Sequence, residues 1–322
     1  MKSFAIHRFL AVLLTLGIAT AFAQTYPDKP IRIIVPYPPG GGADITARPI
    51  AQKLSELWGV PVIIDHRSGA SGMIGAEAAA RAPPDGYTLL MSASAELALN
   101  AAIYLKMPYD PVADFAPITL ATITPMALVV HPSLPVKTVH EYIAIARTKP
   151  GSMSYGSAGT GSAHHFAGEW LKMLANIDMV HVPYKGQAPA LTDLVGGHLS
   201  GGFVTLLPAL KHVQGGKLRV LAVSTKARAR LLPDVPPLAD TLPGFDVTQW
   251  NALWAPAGTP KEVIEKLAVE IQRIIHSPDY RSRMAELGAE AVGSSPSELA
   301  AFQRAEIAKY RKIAQEATIK AE

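Results

Sequence analysis

The 322-residue sequence contains no cysteine. This absence excludes disulfide bonds, thiolate catalysis and metal sites built on cysteine. The net charge is also low. The chain has 30 basic and 26 acidic residues, and the small basic excess is spread along the sequence. No basic run indicates a nucleic-acid-binding surface. The composition, with 49% apolar residues, is that of a globular protein.

Long apolar runs are absent after the first 23 residues. The N-terminus carries the basic residues Lys2, His7 and Arg8, then the apolar run Phe9–Thr20, then the small-x-small site Ala21–Ala23. The apolar run is too short for a membrane-spanning helix and a proline-containing polar segment follows it. We therefore predict a signal peptide over residues 1–23, its cleavage, and a periplasmic mature chain. An uncleaved N-terminal anchor is the alternative.

The common catalytic and nucleotide-binding motifs are missing as well. No glycine-rich stretch ends in Gly-Lys-Ser or Gly-Lys-Thr, no serine has the spacing of a nucleophile elbow, and His-Glu-x-x-His is absent. The only adjacent histidines, His164 and His165, would point about 100° apart on a helix and could not easily share a metal ion. We predict no enzymatic activity, no cofactor and no metal site. A hydrolase acting on a carboxylate ester is the less favoured alternative.

Short apolar strands alternate with helical patterns along the mature chain, which predicts an α/β fold. The clearest helical patterns cover Asp44–Leu57, Val139–Thr148, Ala163–Ala175 and Lys261–Ile275.

The alternation is interrupted twice. Two strand-like runs, Phe115–Ile123 and Met126–Val130, follow one another without a helix, which suits a crossover into a second sheet. Val247–Ala255 is a candidate for the crossover back. We predict a first lobe over residues 24–123, a second lobe over residues 124–247, and completion of the first lobe by residues 248–322.

A glycine-rich stretch follows the first strand. The apolar run Ile31–Val35 leads into a loop with three adjacent glycines, Gly40–Gly42, and then into a helical pattern. Glycines let the backbone bend sharply and let a ligand approach it closely. The first amides of a helix lack partners within the helix and favour an anion. This is the best candidate for a carboxylate or phosphate site, with Asp44 as the helix cap; a simple tight turn is the alternative.

A second stretch of the same kind lies in the second half of the chain. The strand-like run Met153–Ser157 precedes a loop of small residues in which Ser157, Thr160 and Ser162 supply hydroxyl groups. Ser162 is predicted as the N-cap of the next helix. His164 could pair with a ligand carboxylate, or it could have only a structural role. Because ligands of α/β proteins bind beyond the carboxyl ends of strands, two such loops predict a cleft between the lobes.

Seven segments occur in an order that is familiar from one family. They are Tyr26–Ile31, Pro36–Asp44, Ala82–Leu89, Met107–Pro111, Asp114–Pro117, His181–Gly186 and Ala255–Pro260. Each segment is weakly specific, but the ordered set covers essentially the whole mature chain. It resembles the Bug-type substrate-binding proteins of tripartite tricarboxylate transporters.

The resemblance implies a two-lobed periplasmic-binding-protein fold of type II, the Venus-flytrap arrangement, without catalysis. It also implies a monomer that captures a small organic anion and delivers it to a permease of one large and one small subunit. In this family, loops corresponding to Tyr37–Asp44, Ser92–Glu96 and Ser157–His164 form the cleft. The candidate ligand-binding residues are Tyr37, Pro39, Gly41, Gly42, Asp44, Ser92, Ser94, Ser157, Thr160, Gly161, Ser162, His164, Val204 and Thr205.

One position departs from many relatives. The aspartate that suits a ligand amino group is expected in the strand Gly202–Thr205, where this chain has Val204. A buried ammonium group there would lack its counter-charge. We therefore predict that the ligand is a dicarboxylate or an aromatic carboxylate and not an amino acid. A ligand-sensing partner of a signalling receptor is the alternative to transport.

Overall fold

The computed structural model describes residues 26–184 and 186–320. The predicted signal peptide lies outside the described residues. Within the part that is described, no helix has the length and the apolar character needed to cross a membrane.

The described residues form strands and helices that alternate over most of the chain. The strands are β1 (Ile31–Val35), β2 (Val62–His66), β3 (Thr88–Ala93), β4 (Phe115–Val130), β5 (Ser154–Ser157), β6 (Val180–Pro183), β7 (Gly201–Thr205), β8 (Arg219–Val223), β9 (Thr248–Pro256) and β10 (Glu290–Ala291). The helices are α1 (Gly42–Trp58), α2 (Met73–Ala80), α3 (Asn100–Ile103), α4 (Val139–Thr148), α5 (Ala163–Ala175), α6 (Gln187–Val195), α7 (Leu206–Gln214), α8 (Lys261–Ile275), α9 (Pro278–Glu286) and α10 (Pro296–Glu316). A π-helical turn, Ala95–Leu99, leads into α3, and short 3-10 turns cover Ala70–Gly72 and Leu238–Asp240.

Strand β4 connects the two halves of the sheet. The strand order is β2-β1-β3-β9-β4-β7-β5-β6, and β8 and β10 also pair with β4. Residues 115–125 of β4 pair with β9, whereas residues 126–130 pair with β7 and β8. The two strand-like runs predicted here are therefore one 16-residue strand. The change of partner between Pro125 and Met126 agrees with a crossover at this point, and the lobe boundaries stay a prediction.

The registers bring several strand ends to this change of partner. Strand β7 runs antiparallel to β4 and ends at Thr205, opposite Met126, and β5 is parallel to β7. Strand β3 runs antiparallel to β9 and ends at Ala93, opposite Asn251, and β1 is parallel to β3. The carboxyl ends of β1, β3, β5 and β7 therefore all point toward the Pro125–Met126 crossover. Loops at such ends are the usual ligand sites of α/β folds.

Helices cover the sheet and the last one joins its two halves. In the first half, α1 and α8 bury Ile50, Leu54 and Ile271 completely. Helix α10 contacts β4 and also packs Tyr310 against Phe166 of α5, with ring centroids 5.0 Å apart. The C-terminal helix is thus part of the core of both halves.

The close approach of α5 to β5 gives a prediction on stability. An added Cβ at Gly168 would lie 2.1 Å from Cε2 of the buried Tyr155 ring. Alanine is normally better than glycine in a helix by about 1 kcal/mol. We nevertheless expect Gly168→Ala to lower the free energy of unfolding by about 1–3 kcal/mol, because the overlap forces the ring or the helix to move.

The measurement is urea unfolding followed by circular dichroism. Gly42→Ala in α1 is the matched control, since an added Cβ there meets only Asn251 Nδ2, at 3.9 Å. The control should be as stable as the wild type or slightly more stable. Equal stability of Gly168→Ala and Gly42→Ala would contradict the packing argument.

Candidate ligand-binding cleft

The first loop, Tyr37–Asp44, ends in the first turn of α1. Helix α1 begins at Gly42, and Gly41 is its N-cap with extended backbone angles. Among the described residues, the amides of residues 42–44 have no hydrogen-bond acceptor. Together with the helix dipole, these N–H groups attract negative charge. The structure therefore has the unpaired donors that the glycine-rich sequence predicts.

Asp44 does not have the capping role predicted for it. It is the third residue of α1 rather than the N-cap, and its buried carboxylate reaches back to accept the Gly40 amide at 2.9 Å. The same carboxylate accepts hydrogen bonds from Arg48 Nε at 2.8 Å and binds His66 Nε2 at 2.7 Å. Burial opposes ionisation, but these bonds lower the pKa of Asp44 below its usual value. Asp44 thus fixes the loop and its charge is paired within the protein.

The first loop lies above the strands that cross between the halves. A Cβ at Gly42 would be 3.9 Å from Nδ2 of Asn251, the residue of β9 that pairs with Ala93. Asn251 Nδ2 also donates to the Thr122 hydroxyl of β4 at 3.1 Å. In this loop Tyr37 is half-buried, while Pro39 and Gly42 are exposed.

The segment Ser92–Glu96, predicted as the loop after the third strand, covers the last two residues of β3 and the start of the π-helical turn. The hydroxyl of the fully buried Ser92 accepts a hydrogen bond from Trp254 Nε1 at 2.9 Å, so this side chain belongs to the core. Ser94 is also nearly buried. Glu96, which was not singled out from the sequence, is also fully buried. Its Oε2 accepts the Ala93 amide at 2.8 Å, whereas its Oε1 has no hydrogen-bond partner. A single acidic residue inside the apolar run 95–99 was the feature of the sequence that could have pointed to a buried acid.

The second loop, Ser157–His164, leads into α5. Ser162 is the N-cap as predicted, because its hydroxyl accepts the His165 amide at 3.3 Å. The amides of residues 163–164 have no acceptor in the described structure. The hydroxyl of Ser157 bonds Nε2 of His181 at 2.7 Å, while Thr160 is exposed.

The second loop touches the first half of the molecule. A Cβ at Gly161 would lie 2.4 Å from Cδ1 of Ile103 in α3, and Gly161 has φ +78°. This close approach requires glycine for both space and backbone angle. The second loop is therefore in contact with α3, the helix that follows the π-helical turn after β3.

His164 is buried beneath the second loop. It is 2% exposed, and neither ring nitrogen has a hydrogen-bond partner. It lines a cavity of about 10 Å³ with Gln187 and Val204, a space that fits one water molecule. Burial lowers the pKa of His164 to about 4 and the Gln187 side chain only partly opposes this effect. The imidazole is therefore neutral at neutral pH.

The cavity around Val204 has no charged lining residue. Its walls are formed by Gly156, Ser157, Ala158, His164, Gln187, Ala190, Leu194, Leu199, Gly201, Gly202, Phe203 and Val204. Val204 is buried, and the neighbouring Thr205 donates its hydroxyl to Oε1 of Gln187 at 2.5 Å. The second half of the cleft thus offers neutral polar groups beside an apolar surface.

Two further histidines, His165 and His181, stack on each other, a contact that was not predicted from the sequence. The rings of His165 and His181 lie 3.9 Å apart and nearly parallel, and His181 also stacks on Tyr155 at 5.0 Å. Burial lowers the pKa of both histidines to about 4. This stack supports the second loop from below, since His165 Nδ1 accepts the Gly161 amide at 3.1 Å.

Comparison with known proteins identifies the family. A sequence profile described as "Tripartite tricarboxylate transporter family receptor" matches residues 46–319. The protein belongs to this family. Receptors of this family are periplasmic solute-binding proteins rather than enzymes. BugT of Bordetella pertussis is 34% identical over 316 residues, which are 96% of this chain and 97% of BugT. The resemblance to Bug-type proteins is therefore confirmed.

Two solved receptors share the fold of this chain. Rpa4515 of R. palustris with adipate is 36% identical with a TM-score of 0.82, and the match covers 92% of this chain and 99% of Rpa4515. MatC of Rhodopseudomonas palustris with bound malate is 30% identical with a TM-score of 0.77, over 89% of this chain and 99% of MatC. The predicted two-lobed periplasmic-binding-protein fold is confirmed.

The buried histidines predict how stability depends on pH. Below about pH 6.5 an unfolded histidine binds a proton, whereas His164, His165 and His181 in the folded state stay neutral down to about pH 4. Protons therefore favour the unfolded state, and the free energy of unfolding should fall as the pH is lowered from about 7 to about 4.

The measurement is the urea midpoint across this pH range at constant ionic strength. His181→Gln removes one of the titrating groups and should flatten the dependence. The exposed His140→Gln is the control and should leave the slope unchanged. Identical slopes for both variants would show that the histidine stack does not contribute.

Proposed function

We propose that this receptor binds a small dicarboxylate, or an aromatic carboxylate, through the unpaired backbone amides of its two glycine-rich loops. The observation that carries the proposal is the pair of helix starts, residues 42–44 and residues 163–164, whose N–H groups lack acceptors. Both helix starts follow strand ends directed at the same crossover. Gly42 is exposed, but Ala43, Asp44, Ala163 and His164 are buried residues. Buried N–H groups are rarely left unpaired in folded proteins, so a ligand or water is expected to satisfy them.

The chemistry of the second half of the cleft supports an anion without an amino group. Val204 and the other cavity residues carry no negative charge, and His164 is held neutral by burial. A ligand ammonium in this region would be buried without a counter-charge. Adipate and malate, the ligands named for two receptors of similar structure, are dicarboxylates.

One contact requires attention because it resembles part of a hydrolase site. The hydroxyl of Ser157 lies 2.7 Å from Nε2 of His181, as a nucleophile lies from its base. However, Ser157 is 1% exposed, its hydroxyl also accepts the Gly159 amide at 3.1 Å, and burial weakens His181 as a base. We assign this pair to the support of the second loop. The captured ligand would then be passed unchanged to the two permease subunits of a tripartite transporter.

A panel of organic acids tests the ligand class. Isothermal titration calorimetry of the mature protein should detect adipate, malate or a benzoate, and ligand recovered afterwards should be unmodified. Free aspartate and glutamate should give no heat of binding. Tight binding of an amino acid, with every dicarboxylate and benzoate inert, would overturn the proposal.

Removal of one amide tests the mode of binding. Gly42→Pro deletes the N–H of the first helical residue, at the position where proline is well tolerated because the preceding residue is extended. Loss of a hydrogen bond to a charged group should weaken binding by about 1.5–3 kcal/mol, or roughly 10- to 150-fold.

Gly42→Ala is the matched control because it adds a Cβ and keeps the amide. It should bind the same dicarboxylate with an affinity near that of the wild type. Equal affinities of the proline and alanine variants would show that this amide does not contact the ligand.

A further inference from the structure

A buried acid lies behind the first loop. Glu96 is 0% exposed and lies in the π-helical turn after β3. Its Oε2 accepts the Ala93 amide, its Oε1 has no hydrogen-bond partner, and it forms no ion pair among the described residues. A carboxylate in this position is poorly compensated, because buried charges normally require a partner of opposite charge.

The groups that face Glu96 are neutral. Tyr37 of the first loop is one of them. Tyr109, in the segment after α3, is another, and its hydroxyl donates to the Glu96 carbonyl oxygen at 2.9 Å. Gly72 approaches so closely that a Cβ there would lie 2.1 Å from Oε1. From α10, Gln303 donates to the Leu97 carbonyl oxygen at 3.1 Å. None of these groups is a cation.

This environment changes the proton affinity of the acid. Burial raises the pKa of Glu96 to about 7, and the Tyr37 hydroxyl opposes the shift only in part. Burial and the charge of Glu96 also raise the pKa of Tyr37 and of Tyr109, so both phenols stay protonated. Glu96 therefore changes its charge in the neutral pH range, where an ordinary glutamate is fully ionised.

Glu96 is connected to the candidate anion site by a short chain of contacts. The Ala93 amide binds Glu96, Ala93 pairs with Asn251, and a Cβ built on Gly42 would lie 3.9 Å from Asn251 Nδ2. Tyr37 links the same acid to the first loop directly. An ionised Glu96 would place a negative charge near the amides proposed to bind a carboxylate, and like charges in a buried site raise each other's pKa.

We propose that Glu96 becomes protonated when an anionic ligand occupies the first loop, so that this receptor takes up a proton together with its anion. The inference rests on the proposed function and adds a proton to the species that is bound. Above pH 7 the free receptor carries an ionised Glu96, and binding must recruit a proton from solvent. Below about pH 6 the acid is already protonated, and binding recruits none. Affinity should accordingly decrease as the pH rises above 7.

Calorimetry with adipate as the probe tests this coupling. Titrations in two buffers with different heats of ionisation give the number of protons taken up at each pH. We expect uptake near zero at about pH 6, uptake approaching one proton at about pH 8, and a Kd that rises by up to about tenfold per pH unit above 7. The same titrations with malate should show the same trend.

Variants assign the proton to a residue. Glu96→Gln fixes the side chain in a neutral form, so its proton uptake should vanish and its Kd should no longer rise with pH. Glu56→Gln, which removes an exposed carboxylate of α1 on the same half of the molecule, is the control and should behave as the wild type. Proton uptake that persists in Glu96→Gln would overturn the inference.

A second variant, Tyr37→Phe, keeps the inference testable if Glu96→Gln fails to fold. Because the Tyr37 hydroxyl lowers the pKa of Glu96, Tyr37→Phe should raise it. The pH above which adipate affinity falls should therefore move upward, which loss of a merely structural contact would not cause. An unmoved profile would contradict the inference.

Adipate binding without any proton uptake would overturn this inference alone, whereas no binding of adipate or malate at any pH would overturn the proposed function with it.

Discussion

The continuous backbone pairing of β4 is the constraint on which both sides of the cleft depend. Its partner changes between Pro125 and Met126, and the registers on either side of that point orient every neighbouring strand. Because β1 and β3 end toward the crossover from one half, and β5 and β7 from the other, the helices after β1 and β5 begin beside it. Strand pairing thus directs two sets of unpaired amides toward the same crossover.

In the proposed function, backbone amides supply the attraction for an anion in a chain with little excess charge. The charged groups nearest the first loop are paired within the protein, since the Asp44 carboxylate binds both Arg48 and His66. Those contacts hold the loop in place and leave the N–H groups of α1 to supply the attraction. In the proposed proton coupling, the buried Glu96, whose Oε1 has no hydrogen-bond partner, adds a negative charge that depends on pH. Binding strength and its dependence on protons would therefore arise from separate groups.

Two contacts join the second loop and its helix to other parts of the core. Tyr310 of α10 packs against Phe166 in the first turn of α5, and both rings are fully buried. In the second loop itself, a Cβ at Gly161 would lie 2.4 Å from Cδ1 of Ile103 in α3. The loop and the start of its helix are therefore held by helices α10 and α3.

The class of fold, the two glycine-rich loops and, through its ordered motifs, the family could all be predicted from the amino-acid sequence. Local patterns also gave the bounds of Val139–Thr148 and Ala163–Ala175 correctly, because apolar periodicity and a capping residue such as Ser162 act within a few residues. The roles of Ser92, Asp44 and Glu96 became clear only from the three-dimensional structure. Trp254 binds Ser92 from 162 residues away and His66 binds Asp44 from 22 residues away, while Gly72 and Tyr109 help to enclose Glu96. Burial and pairing of this kind depend on which strands meet, and the local periodicity of a sequence does not contain that information.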